Sequence, residues 1–112
     1  MSKYALEETD QFLTDVEGAA VWILLSNIEE SEALANKKIA EFQKNLEALK
    51  EQLRDFPESG ENDELPGLRK FPIYGGRYSA KWVIIHTARI VILVALTDSK
   101  YPRKLREFRL DE

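Results

Sequence analysis

Residues 75–96, GGRYSAKWVIIHTARIVILVAL, constrain the fold of this chain more than any other stretch. Gly75 and Gly76 accept positive φ without a Cβ clash, which predicts a tight two-residue turn. Residues 78–85 then read as a strand, His86-Thr87-Ala88-Arg89 as a turn, and residues 90–96 as a second strand. That second run is wholly apolar and rich in β-branched residues, as a strand covered on both faces should be. Periodicity alone fits a buried helical segment equally well; the short length and the flanking turn signals favour strand.

The segments around this hairpin follow in order. Residues 1–8 contain a candidate first strand, and residues 9–56 read as a helical hairpin. Thr9 or Asp10 can cap the first helix, whose apolar residues Phe12, Leu13, Val16, Ala19, Ala20, Trp22, Ile23 and Leu24 widen towards its end. The widening predicts deeper burial of the second half, and Trp22 and Trp82 are assigned to the core. Gly18 costs about 1 kcal/mol relative to Ala inside a helix. Ser26-Asn27 reads as a breaker, with Ser26 and Glu29 spaced as a reciprocal cap for the next helix.

In that second helix Ile39, Phe42, Leu46, Leu49, Leu53 and Phe56 alternate spacings of three and four. The seam predicts either a helix laid on the sheet or a homodimer formed through it. Pro57 ends the helix. Residues 57–67 form an acidic loop, and residues 68–74 a strand in which Pro72 argues for an edge position. Along residues 78–85, Tyr78, Ala80, Trp82 and Ile84 share one face; Ser79, Lys81, Val83 and Ile85 share the other. The first face is assigned to the helices and the second to an open side. Residues 68–97 thus form an antiparallel meander, and residues 98–112 a basic terminal segment. The fold class is α+β: a helical hairpin on a twisted antiparallel sheet of three to four strands, in one domain of 112 residues.

Charge divides the chain. Residues 1–64 hold 6 Lys/Arg against 16 Asp/Glu, and residues 65–112 hold 10 against 4. The division predicts either a surface facing an anionic partner or simply a solvated helical face followed by a basic tail. The chain has no cysteine, which excludes disulfides and thiolate metal sites. No cluster has metal-ligand spacing, and no cofactor is expected. The longest apolar runs, residues 19–25 and 90–96, fall far short of the roughly 20 residues that span a bilayer by helix. The first residues lack the pattern of a secretory signal, so a cytoplasmic protein without a membrane partner is expected.

The motifs Leu65-Pro66-Gly67-Leu68-Arg69, Gly76-Arg77-Tyr78 and Lys100-Tyr101-Pro102 bracket the meander. With the helical hairpin before them, they resemble the RelE/ParE superfamily of type II toxin–antitoxin (plasmid stabilisation) toxins. The resemblance implies a cognate antitoxin, and as target either DNA gyrase or the ribosome with its mRNA. In the ribonuclease branch it implies metal-independent cleavage of RNA by its own 2′-hydroxyl. Such cleavage needs a base, cations for the phosphorane and an acid for the leaving oxygen. Lys81, Arg77 and Tyr101 are the matching candidates here. Arg69, Lys70, Lys100, Arg103, Lys104 and Arg106 complete a cationic binding surface.

Two departures weigh against chemistry. Ser79 follows Tyr78 where the ribonucleases often carry Arg, and Thr97-Asp98-Ser99 stands where an Arg commonly follows the last strand. The expectation is therefore a ParE-like toxin acting by binding. The alternatives are a RelE-like endonuclease and a non-toxic adaptor or homodimer. An acidic or amphipathic antitoxin segment is expected on the open sheet face or its edge. His86, the only histidine, is assigned to a turn, with a general-base role as the lesser alternative.

Overall fold

The computed structural model describes residues 3–100. Its elements are β1 (Ala5–Glu8), α1 (Asp10–Asn27), α2 (Glu32–Asp55), β2 (Glu61–Asn62), β3 (Arg69–Ile73), β4 (Tyr78–Ile85) and β5 (Ile90–Asp98). The α+β architecture stands, with a five-stranded sheet in the order β1-β5-β4-β3-β2. The sheet is mixed, because β1 pairs in parallel with β5, Ala5 opposite Ile90 and Glu8 opposite Leu93. Parallel neighbours need a long crossover, and the helices and meander between them supply it. The unforeseen strand, β2, forms inside the acidic loop where Glu61 and Asn62 pair with Lys70 and Arg69. Because β2 is only two residues long, Pro72 lies beyond its reach and still occupies an edge.

The turn before β4 has four residues rather than two, since Ile73 pairs directly with Tyr78. Tyr74, Gly75 and Gly76 all have positive φ, so a left-handed residue precedes the two glycines. Tyr74 is held there by its N–H donating to Asn45 Oδ1 (3.0 Å) and by its ring meeting Phe42 edge-on. The next turn falls at residues 86–89 as expected, closed by Ile85 opposite Ile90.

The helix boundary also moves. Ser26 and Asn27 are the last residues of α1, and their side chains donate back to the carbonyls of Trp22 and Ile23. Ser31 caps α2 instead, accepting from the Leu34 N–H at 3.1 Å. Thr9 caps α1 through the Phe12 N–H, and its hydroxyl donates to the Val94 carbonyl. That carbonyl belongs to a bulge: Lys81 opposes Ala95 and Trp82 opposes Leu93, leaving Val94 as the extra residue. Past the end of β1, Asp15 of α1 accepts from the Leu96 N–H at 3.0 Å. Thr9 at the cap of α1 and Asp15 within it thus satisfy β5 backbone groups where pairing with β1 has stopped.

Phe12, Ile23, Phe42, Leu53, Trp82, Val91 and Leu93 form the fully buried centre between helices and sheet. The seam of α2 is spent here: Phe42, Leu46, Leu49 and Leu53 are buried, and only Phe56 at its end is exposed. A homodimer through that seam is not available without opening the core. Trp82 is core as expected, its indole N–H donating to the Pro57 carbonyl at 2.9 Å. Trp22 is not: it is 46% exposed, with Val21, Leu25 and Ile28 beside it. The widening apolar stripe of α1 therefore marks a second, outward face rather than deeper burial.

Candidate functional site

Four of the cations singled out in the sequence lie among the described residues of the sheet and its turns, and each is engaged within the fold. Arg69 is wrapped by the acidic loop. Its guanidinium donates to the carbonyls of Glu58 (2.6 Å), Gly60 (3.1 Å) and Ser59 (3.5 Å), and to Asn62 Oδ1 (2.9 Å). Gly60 lies so close to β3 that a Cβ would fall 2.3 Å from the Lys70 carbonyl, and its φ is +80°. Only glycine fits this contact. Lys70 sits 3.9 Å from Glu61 across the β2–β3 pair.

Lys81 is directed to the face away from the helices, as its parity predicts, but that face is partly covered. Leu65 and Leu68 of the loop pack there against Val83, Val94, Ala95 and Ile92. The Lys81 ammonium meets Asp63 at 3.0 Å, and the Asp63 side chain is only 4% exposed. Burial raises the Asp63 carboxyl, but the Leu65 N–H and the Lys81 ammonium, with Lys70 farther off, outweigh it. The carboxyl is held below the usual aspartate range. Lys81 is thus half of a largely buried ion pair rather than a free cation on an open face.

Arg77 faces the other way. Its Nε and Nη2 donate to the two Asp98 oxygens, each at 3.0 Å, and its guanidinium lies 4.2 Å from the centre of the Trp22 ring on α1. A bidentate carboxylate and an aromatic face hold the fork in one plane. A cleft of about 280 Å³ opens beside it, lined by Asp15, Gly18, Trp22, Tyr78, Thr97 and Asp98. Burial pushes the Tyr78 phenol above its ordinary range. Arg77 and Lys81 therefore sit on opposite sides of the sheet, and among the described residues no shared cationic concavity joins them. Lys100 closes the described chain, its N–H donating to Asp98 Oδ1. Tyr101, Arg103, Lys104 and Arg106 lie outside the described residues.

One cluster was invisible in the sequence. Tyr4 OH and His86 Nδ1 are hydrogen bonded at 2.9 Å, and His86 Nε2 lies 3.5 Å from Glu58. Arg89 stacks 4.8 Å over the Tyr4 ring. Nothing in the spacing of Tyr4, Glu58 and His86 foretells this; it follows from β1 pairing with β5, which brings the start of the chain to the β4–β5 turn. The adjoining groove, about 950 Å³, is also lined by Asp55, Phe56 and Glu58. Two carboxylates at its wall make it unwelcoming to a phosphodiester. Among the described residues no group of three or more His, Asp or Glu can hold a metal ion.

Comparison with solved structures places this architecture. It superposes on the chromosomal ParDE toxin–antitoxin system from P. aeruginosa with a TM-score of 0.64 and 13% identity, covering 85% of this chain and 95% of that one. An arginine double mutant of the E. coli toxin RelE in the free state gives 0.54 and 12% identity, over 89% of this chain and 86% of that one. Isolated E. coli RelE gives 0.50 and 16% identity, over 89% and 88%. No family model and no curated protein matches the sequence. The chain has the fold of the RelE/ParE toxin superfamily.

Proposed function

We propose that this chain is the toxin of a type II toxin–antitoxin pair and that it acts by binding rather than by cleaving RNA. The observation that carries the toxin reading is the shared architecture, which spans nearly all of the P. aeruginosa ParDE chain at a TM-score of 0.64. The engagement of the candidate cations favours the binding branch. Phosphodiester cleavage needs a base and cations converging on one phosphate. Here Lys81 is committed to Asp63 and Arg77 to Asp98, on opposite sides of the sheet. DNA gyrase is the target to test first, because the resemblance to ParE implies it. The cognate antitoxin is the expected protein partner.

Two assays with the purified full chain separate the branches. In the first, it is titrated into a gyrase supercoiling reaction; in the second, into a translating extract whose mRNA is followed by primer extension. Loss of supercoiling with intact mRNA is the expected outcome. New mRNA ends that depend on translation would replace this reading with the endonuclease one, in which Lys81, Arg77 and Tyr101 act on RNA.

A further inference from the structure

Helix α1 carries two apolar faces, and the fold uses one. Phe12, Ala19 and Ile23 are buried against the sheet and α2. On the opposite side Val21 is 48%, Leu25 65% and Ile28 43% exposed, with Leu13 (49%) and Trp22 (46%) on the two flanks. Thr14, Gly18, Val21, Leu25 and Ile28 are all exposed and alternate spacings of four and three. That alternation is the seam by which one helix packs along another.

Gly18 adds a separate observation. Glycine inside a helix is unfavourable by about 1 kcal/mol relative to alanine, and one use of it there is to let another backbone approach closely. Yet a Cβ built on Gly18 meets no atom within 4 Å. No described part of the chain uses the space that its missing side chain leaves. Gly18 sits near the middle of α1 and in the middle of the exposed seam.

Charge selects the occupant. From Asp10 to Glu30 the chain holds Asp10, Asp15, Glu17, Glu29 and Glu30 and no Lys or Arg. Arg77, stacked on Trp22 at the flank of this face, is already paired with Asp98. A second copy placed seam to seam would set acid against acid with nothing on either helix to offset them. A helix with an apolar stripe and Lys or Arg along its margins meets both the seam and the flanking carboxylates.

We infer that the outward face of α1 is a docking site for a basic amphipathic helix of a partner protein, crossing closest at Gly18. The face would be there whether or not the chain is toxic.

The test uses the full chain and two synthetic 21-residue helical peptides. Both carry Leu and Ile at the seam positions; one has Lys and Arg on the margins and the other has Glu. Trp22 is half exposed whereas Trp82 is fully buried, so the blue shift of tryptophan emission reports docking at α1. Isothermal titration gives the affinities. The basic peptide is expected to shift the emission and to bind at least about tenfold more tightly than the acidic one, about 1.4 kcal/mol. Leu25→Asp should weaken binding about tenfold or more although it adds negative charge. Gly18→Ala should weaken it while raising the thermal midpoint of the free chain, which separates docking from folding.

Equal affinity for the two peptides, or no binding, would overturn the inference. So would a Leu25→Asp variant that binds the basic peptide as well as the parent does, since charge alone would then explain the contact. A dimer of the free chain in sedimentation that dissociates in Leu25→Asp would assign the face to a second copy and overturn it equally.

Discussion

Asp63 is the residue on which the reading of the site turns. Its carboxylate converts Lys81 from a free cation into a fixed part of the sheet, and it bridges the acidic loop to β4. Replacing it by Asn leaves a mostly buried ammonium without its counter-charge. Asp63→Asn is expected to lower stability at pH 7 by about 1–3 kcal/mol, the range for hydrogen bonds to charged groups and their loss. The pH dependence has a definite sign. The folded Asp63 pKa lies below the unfolded value of about 3.9, so the pair's contribution is fully present above that value. It is lost as pH falls through the folded pKa. Urea unfolding of parent and Asp63→Asn should thus differ at pH 7 and converge in strong acid; a constant difference across pH would deny the ion pair its role. The sequence made Lys81 legible as a residue facing away from the helices, because strand alternation sets its parity. It could not reveal Asp63 as its partner, because loop residues reach their neighbours through tertiary closure and carry no periodicity. The same holds for Arg77, whose fork is fixed by Trp22 and Asp98 from two distant elements.

The elements themselves were written more plainly. The apolar run of β5, the alternation of β4 and the three-four seam of α2 each gave the element and its buried face. Boundaries were less legible where side chains choose between neighbours. Ser26 and Asn27 have the chemistry of caps, yet they bond backwards to carbonyls one turn before them, and Ser31 takes the cap. The parallel strand β1 was marked only by a short run, since its pairing is decided by β5 far along the chain. For α1, composition showed the apolar residues but not that they divide into two faces, because only packing decides which side of a helix meets the core. Thr9 ties these levels together: it caps α1 and also donates to the bulged Val94 carbonyl. Thr9→Ala is expected to lower stability by about 1 kcal/mol, as loss of an N-cap does. Calorimetric melting checks it, and an unchanged midpoint would mean that neither bond contributes.

At the scale of the molecule, charge and topology act together. The acidic first half is not segregated on a helical back: its loop folds over part of the sheet face and supplies Asp63, while Glu58 reaches His86. The described cations of the second half are therefore largely spent on internal partners. Lys81 and Arg77, the two described candidates for chemistry, are held by Asp63 and Asp98 on opposite sides of the sheet. Among the described residues no helix is long and apolar enough to cross a membrane. If the chain acts as the proposed toxin, colony-forming units should fall by several orders of magnitude after its induced expression in a bacterial host, and co-expression of the cognate antitoxin should reverse the fall. Unchanged viability at every level of soluble expression would contradict that reading.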